Sequence, residues 1–171
     1  MSASRDPVAD RQVIADALHL YARAVDRLDV PLGHALWHVD GTADYGDYYQ
    51  GSGRGVIDRI CADHRGLLAH CHQMTNMVIA LDGDRAGSET YCIATLRMQR
   101  PDGQMQMSVW TRYVDRWSWR DGRWAMDHRT ALREFDEVRP VQPLSAGGMG
   151  RRDRDDPSYA VLGNLPYTNL D

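Results

Sequence analysis

The chain has 171 residues, of which 43% are hydrophobic and 26% are charged, a balance typical of one globular domain with a buried core. Its formal net charge of −4 gives no general attraction for phosphate backbones, so we expect no nucleic-acid partner. No stretch is long and apolar enough to span a membrane, and the first residues contain no apolar signal core. We therefore predict a cytoplasmic protein that does not associate with membranes.

The first half of the chain has the spacing of amphipathic helices. Residues 6–29 place apolar side chains every three to four positions, which predicts a long helix with an aspartate as its N-cap. A short helix is predicted to open at Pro31 and to close before Gly41, and the aromatic segment TADYGDYYQG after it is strand-like. A third amphipathic helix is predicted within residues 53–71.

From residue 70 onwards the pattern is that of strands. Three Asp-Gly turns, at 82–85, 100–104 and 120–123, each join two strand-like runs, because Asp-Gly accepts the positive φ angles of tight hairpins. The predicted strands cover about 70–81, 85–99, 104–119 and 123–134. Helices followed by an antiparallel meander predict an α+β fold, with the helices lying on one face of a curved sheet.

The regular pattern ends after the segment REFDEV. We assign residues 1–135 to one folded domain and residues 136–171 to a C-terminal arm, whose Pro, Gly and charged residues are typical of irregular structure. The apolar residues of SYAVLGNLPY are expected to anchor this arm on the domain or on a neighbouring subunit.

Four segments together resemble the SnoaL-like branch of the NTF2-like superfamily. They are YARAVDRLD on the first helix, TADYG after the short helix, HCHQMTNMVIALDGDRA leading into the first hairpin, and YVDRWSWRDGRWAMDHR in the last hairpin. The resemblance covers about residues 10–135 and implies the NTF2-like, or cystatin-like, cone in which a curved antiparallel sheet wraps around N-terminal helices. In pattern the chain is most similar to scytalone dehydratase, bile-acid 7α-dehydratase and lindane dehydrochlorinase, which are cofactor-free eliminating enzymes.

The resemblance implies a catalytic pair of one histidine and one aspartate. His72 matches the family histidine that lies four residues before an Asn, and Asp26 lies on the edge of the apolar stripe of the first helix. A carboxylate at such a position is costly to desolvate unless it finds a donor, and an imidazole across the pocket is one. The simpler alternatives are a core histidine bonded to a backbone carbonyl and a solvated charge at the end of a helix.

Two tyrosines are candidates for the acid or oxyanion stabiliser of the same site. Tyr21 and Asp26 match the Tyr-x4-Asp pattern of the bile-acid enzyme, although core packing also accounts for Tyr21. Tyr45 falls where the fungal dehydratase carries a substrate-binding tyrosine, with Tyr48 and Tyr49 as alternatives if the alignment is shifted.

Four further residues are assigned to substrate binding. Strand alternation puts Met74 and Asn76 on the same face as His72, and Trp37 is assigned to the aromatic wall. Arg129 is a candidate ligand for an oxygen or carboxylate of the substrate, or else an exposed strand arginine. Two other tryptophans, Trp117 and Trp119, share a face by alternation and are expected at a subunit interface or on the outside of the sheet.

Neither a metal nor an organic cofactor is expected. The His-x-His pair of His70 and His72, with His64 or His128 as a third ligand, is stereochemically possible, but QMTNM supplies no carboxylate or further histidine at the usual spacing. The chain contains no glycine-rich phosphate loop after a strand and no dinucleotide-binding fingerprint.

These residues predict a cofactor-independent lyase that performs a dehydratase-type β-elimination on a hydrophobic cyclic small molecule. A steroid, polyketide or other cyclic hydroxy-ketone would fit an aromatic pocket with a histidine base. The alternatives are a ketosteroid-isomerase-like proton shuttle and a non-catalytic protein similar to a dioxygenase β-subunit. By resemblance we expect a homotrimer, with a homodimer as the alternative.

Overall fold

The computed structural model describes residues 5–144, 150–163 and 165. The helices are α1 (Pro7–Arg27), α2 (Val30–Ala35), α3 (Gly53–His64) and α4 (Pro157–Leu162). The strands are β1 (Trp37–Asp44), β2 (Gln50–Ser52), β3 (Ala69–Asp82), β4 (Arg85–Arg100), β5 (Gly103–Arg120) and β6 (Arg123–Val141). The predicted α+β fold is confirmed.

The six strands form one sheet in the order β2-β1-β6-β5-β4-β3. Strand β1 runs parallel to β6, and every other neighbouring pair is antiparallel. The three predicted hairpins are present, and each turn contains a glycine with positive φ: 58° at Gly83, 124° at Gly103 and 76° at Gly122. Long antiparallel neighbours follow directly from these tight turns.

Helix α1 begins and ends where its sequence provides hydrogen bonds for the helix termini. The Asp6 carboxylate accepts a hydrogen bond from the amide of Val8 at 2.9 Å, and Pro7 occupies the first turn. At the other end Leu28 adopts a left-handed φ of 55°, and its amide donates to carbonyls of the last turn. The end of α1 is therefore well defined, and Asp26 lies in its last turn.

The helices cover the inner face of the sheet. Helix α1 packs against β3 at one edge of the sheet and also against β6, while α3 packs against β1. The indole N–H of Trp124 on β6 donates to Asp10 of α1 at 2.8 Å, which ties the start of the helix to the sheet. The largest fully buried apolar side chains are Trp37, Trp117, Trp124, Tyr21, Ile14, Leu18, Leu36, Ile57 and Met126.

Two predicted boundaries differ from the structure because pairing with β6 overrides the local pattern. The short helix ends at Ala35, and Trp37–Asp44 forms a strand, because the amide of Met126 donates to the carbonyl of Leu36 at 2.9 Å and β1 then pairs along β6. Strand β6 itself continues past the predicted end at 134 to Val141, which lies opposite Gln104 of β5.

Strand β3 contains a bulge that the alternation pattern did not predict. Met74 lies opposite Cys92 and Met77 lies opposite Thr90, so two residues of β3 face one of β4. The bulge reverses which residues face inward. Asn76 is therefore exposed instead of sharing the face of His72, and the prediction that it binds substrate is wrong.

The two tryptophans expected at an interface or on the outside of the sheet lie on its inner face. Trp117 is fully buried in the core and donates its indole N–H to Ser88 at 2.9 Å. Trp119 is half-buried, and its ring centroid lies 6.1 Å from that of Trp124. The alternation was predicted correctly, but the predicted face was wrong, because both indoles pack into the core with Trp124 on the face that the helices cover.

The described part of the C-terminal arm lies against the end of α1 and the loop between α3 and β3. Arg152 donates to the carbonyls of His64 and Leu67 at 2.9 Å each, and the Tyr159 hydroxyl donates to Asp29 at 3.0 Å. Arg152 and Tyr159 thus hold the described part of the arm against the domain that precedes it. Among the described residues, no helix is both long and apolar enough to cross a membrane.

We expect Gly53→Ala to destabilise the fold, because the added Cβ would overlap the ring of the fully buried Trp37. Overpacking of this kind typically costs about 1–3 kcal/mol, which chemical denaturation would measure. Gly66→Ala is the matched control, since no atom lies within 4 Å of a Cβ at that position. Equal unfolding free energies for the two variants would contradict the packing described here.

Candidate active site

Asp26 and His72 form a hydrogen-bonded pair between α1 and β3. The His72 Nδ1 lies 2.7 Å from Asp26 Oδ1, and the backbone N–H of His72 lies 3.1 Å from both carboxylate oxygens. The side chain of His72 is only 6% exposed and that of Asp26 only 16%. A carboxylate that accepts from Nδ1–H leaves Nε2 as the unprotonated nitrogen, so the pair presents an oriented base.

An apolar cavity of about 340 Å³ lies on one side of this pair. It is lined from α3 and the following loop by Ile60, Asp63, His64 and Leu67; from β4 and β5 by Ala94, Leu96, Met98, Met107, Val109, Thr111 and Tyr113; and by Tyr45, Tyr48 and His72. The wall opposite the strands therefore comes mainly from α3.

A second, polar cleft of about 320 Å³ lies on the other side of the pair. It is lined by His19, Ala22, Arg23, Asp26, Arg27, His72 and Met74. Met74, which was predicted to bind substrate beside His72, is half-buried in this cleft and does not line the apolar cavity. The histidine thus borders two spaces of opposite character.

Tyr45 lines the apolar cavity, and its hydroxyl is bonded to that of Tyr21, which lies outside the cavity lining. The two hydroxyl oxygens are 2.8 Å apart, and the ring of Tyr113 contacts both tyrosines with centroid distances of 5.7 and 6.1 Å. Burial raises the pKa of Tyr45, and the positive charge of nearby Arg129 opposes that rise. Burial likewise raises the pKa of Tyr21 well above its ordinary value, so both phenols are protonated at neutral pH.

Arg129 lies beneath these tyrosines and not in the cavity. It is fully buried, and its Nε and Nη2 donate to the two oxygens of Asp115 at 2.7 and 2.8 Å. Its guanidinium carbon is 4.2 Å from the ring centroid of Tyr21 and 4.1 Å from that of Tyr113. This placement contradicts the predicted contact with substrate, because the alternation of β6 directs the side chain into the core.

Trp37 also lies away from both spaces. It is fully buried in the core next to Gly53, so its assignment to the substrate pocket is wrong. Its indole ring, whose size suggested a pocket wall, instead fills the space between β1 and α3.

His64 is a cavity residue that the sequence analysis considered only as a metal ligand. Its ring centroid lies 5.6 Å from that of His72, and the two rings are nearly parallel at 22°. Burial and the neighbouring histidines lower the pKa of His64 to about 3, so it is a neutral imidazole. The sequence did contain a signal for this position, because His64 continues the buried apolar stripe of Val56, Ile60 and Cys61 along α3.

His70 completes a cluster of three histidine rings but has a different environment. Its Nε2 donates to the carbonyl of Val25 at 3.0 Å, and burial lowers its pKa. His128, the other ligand considered for a metal, bonds to Thr42 at 2.7 Å. Within residues 5–144, 150–163 and 165, no three His, Cys, Asp or Glu side chains are arranged to hold a metal ion.

The comparisons with known proteins agree with this architecture. The SnoaL-like domain family matches residues 6–130. No curated protein matches the chain. A type 2 LinA hexachlorocyclohexane dehydrochlorinase is similar with a TM-score of 0.71 and 14% identity, covering 81% of this chain and 97% of that one.

Two solved structures from Novosphingobium aromaticivorans are also similar. One, a candidate scytalone dehydratase, has a TM-score of 0.66 and 18% identity and covers 84% of this chain and 95% of its own. The other, an NTF2-like protein with a cystatin-like fold, has a TM-score of 0.60 and 18% identity, with coverages of 74% and 83%. At these identities the matches establish the NTF2-like fold, and the family match over most of the chain establishes that this protein belongs to the SnoaL-like domain family.

Proposed function

We propose that this protein is a cofactor-independent lyase that removes water by β-elimination from a hydrophobic cyclic hydroxy-ketone. The observation that carries the proposal is the 2.7 Å hydrogen bond between Asp26 and His72 at the wall of an apolar cavity. The similarity in fold to a dehydrochlorinase and to a candidate scytalone dehydratase is consistent with a lyase. Fold alone does not determine the reaction, so the proposal depends on the chemistry of the site.

His72 is suited to remove the proton that begins the elimination. Asp26 accepts from Nδ1 and holds the ring, which leaves Nε2 to take a proton from the carbon next to the ring carbonyl. The electron pair of that C–H bond forms the new C=C bond as the hydroxyl on the following carbon departs. The Asp26 carboxylate stabilises the imidazolium that results.

The departing hydroxyl needs a proton, and Tyr45 is suited to supply it. Its side chain lines the cavity, and its hydroxyl is protonated at neutral pH because burial raises its pKa. Tyr21 orients it through the 2.8 Å contact between the two oxygens and can return a proton to it, and the imidazolium of His72 is the other available donor. The products are an unsaturated ketone and water.

The cavity favours a cyclic apolar substrate with polar groups on one edge. Its strand side is lined by Ala94, Leu96, Met98, Met107 and Val109, whereas the opposite side carries imidazole, phenol and carboxylate groups. A volume of about 340 Å³ is at the lower end of the range for pockets that bind drug-sized molecules, which suits a molecule of a few fused rings.

The neutral state of His64 supports the same assignment of roles. Because its pKa is lowered to about 3, His64 adds no positive charge beside the ring of His72 that must accept a proton. A neutral imidazole at the cavity wall can also hydrogen-bond to an oxygen of the substrate.

We expect His72→Ala and Asp26→Asn each to lower kcat/KM by about 10²- to 10⁴-fold, and the double variant to be little worse than the poorer single one, because the two groups act as a unit. The measurement is loss of water from a panel of hydroxysteroids and cyclic hydroxy-ketones, followed by the absorbance of the conjugated product. Retention of full activity by Asp26→Asn would refute the dyad.

Two controls accompany this experiment. Asp16→Asn alters a carboxylate on the same helix that bonds to Gln12 at 2.8 Å, and His128→Ala removes a histidine bonded to Thr42; neither should change turnover. Proton exchange without loss of water would favour the isomerase instead. Inactivation by a chelator would show a metal enzyme.

The outer face of the sheet suits association with further copies of the chain, and we propose a homotrimer, with a homodimer as the alternative. Ile93, Trp110 and Phe135 lie in register across β4, β5 and β6, and the ring centroids of Trp110 and Phe135 are 4.6 Å apart, while Tyr91 and Leu132 lie on either side of Arg112. Phe135 is 59% exposed. Apolar side chains grouped on an exposed sheet face are typical of subunit interfaces.

Phe135→Asp is expected to lower the molar mass in solution from that of the oligomer to that of the monomer, because it introduces a charge into this apolar group. Light scattering during gel filtration measures the mass directly. Val8→Asp, at an exposed position in the first turn of α1, is the control and should keep the mass of the parent protein. A monomeric parent protein at micromolar concentration would contradict both assemblies.

A further inference from the structure

The polar cleft behind the dyad contains an arginine that forms no ion pair with any of the described residues. Arg23 lies in the cleft wall with Arg27, Asp26 and His72. Within the part of the chain that the structure describes, no carboxylate lies within ion-pair distance of Arg23. The other two charged groups of the cleft have partners. Asp26 binds His72, and Arg27 donates to the carbonyl of Arg151 at 3.1 Å and lies 3.8 Å from Asp156.

One of the three guanidinium nitrogens of Arg23 has a hydrogen-bond acceptor among the described residues, and the other two have none. Its Nη1 donates to the Ser158 hydroxyl at 2.9 Å, and the ring of Tyr159 lies 4.7 Å from the guanidinium carbon. Its Nε and Nη2 are buried, yet neither has an acceptor among the described residues. Buried guanidinium donors without an acceptor are costly, and they call for a group that completes them.

The two nitrogens without an acceptor, Nε and Nη2, lie on the same edge of the guanidinium group. Nε and Nη2 lie side by side on a guanidinium and together bind both oxygens of an oxyanion. The same chain shows this arrangement at Arg129, whose Nε and Nη2 bind the two oxygens of Asp115 at 2.7 and 2.8 Å. Arg23 carries the same pair of donors beside the cleft, where both are buried and no carboxylate from the described residues receives them.

We propose that the cleft is an oxyanion-binding subsite in which Nε and Nη2 of Arg23 hold a carboxylate or phosphate group. The anion is either a substituent of the molecule that reacts at His72 or a separate small ion. Only the first source rests on the proposed lyase function. The space of about 320 Å³ is ample for either, and the C-terminal arm holds the third nitrogen of Arg23 through Ser158.

Calorimetric titration of the full chain with inorganic phosphate and with acetate tests the subsite. We expect saturable binding that Arg23→Gln weakens about 10- to 100-fold, because it removes a charge-assisted pair of hydrogen bonds. Arg23→Lys should recover part of the affinity, since it restores the charge without the fork. Arg11→Gln removes an arginine from the exposed side of the same helix and should bind like the parent protein.

Two additional variants separate anion binding from other effects. Ser158→Ala removes the contact between Arg23 and the arm but keeps Nε and Nη2, so it should still bind phosphate. Tyr45→Phe alters the apolar cavity on the far side of His72 and should bind phosphate normally even if turnover is lost. Anion binding that persists when no turnover is found would refute the lyase and leave the subsite standing.

Competition identifies the source of the anion. If phosphate raises KM for a ring substrate that carries a carboxylate but not for its neutral counterpart, the anion is a substituent of the substrate. If phosphate binds through Arg23 and competes with neither, the subsite takes a separate ion. No saturable binding, or equal affinity for the parent protein and Arg23→Gln, would overturn the proposal.

Discussion

The carboxylate of Asp26 joins the last turn of α1 to β3, and the candidate site depends on this junction. It accepts from both the backbone N–H and the ring of His72, so it fixes the position of the strand as well as the orientation of the imidazole. The same junction separates the apolar cavity from the polar cleft, because His72 borders both. A structural contact between helix and sheet thus also sets the base between two different environments.

A second buried polar group supports the wall of the cavity. The ion pair of Asp115 and Arg129 is completely buried, and breaking such a pair by removing one partner typically costs about 3–5 kcal/mol. Here the cation packs between the rings of Tyr21 and Tyr113, and its charge opposes the burial that raises the pKa of Tyr45. The pair therefore holds the tyrosines in place and influences the group that is proposed to donate a proton.

Local rules were sufficient for much of the fold, whereas the resemblance to the SnoaL-like branch singled out the central pair of the site. The Asp-Gly turns determine the three hairpins because their glycines accept positive φ angles, and the spacing of apolar residues determines α1. Asp26 and His72 came from the resemblance, and simple alternation then gave the inward direction of His72, which precedes the bulge. The turns, the helix and this alternation depend on neighbours in sequence.

Other features depend on partners that are distant in sequence, and only the tertiary structure decided them. The bulge after Met74 arises from pairing with β4, and it turns Asn76 outward. Arg129 is buried because Asp115 of the neighbouring strand neutralises it, whereas its charge alone suggested exposure. The nearly parallel rings of His64 and His72 come from the packing of α3 over the sheet. By itself the sequence determined which elements form, and it singled out the central pair of the site. The pairing of strands and the packing of helices determined which other side chains reach the site, because the burial of a charge and the face on which a strand residue lies are set by neighbours that are remote in the chain.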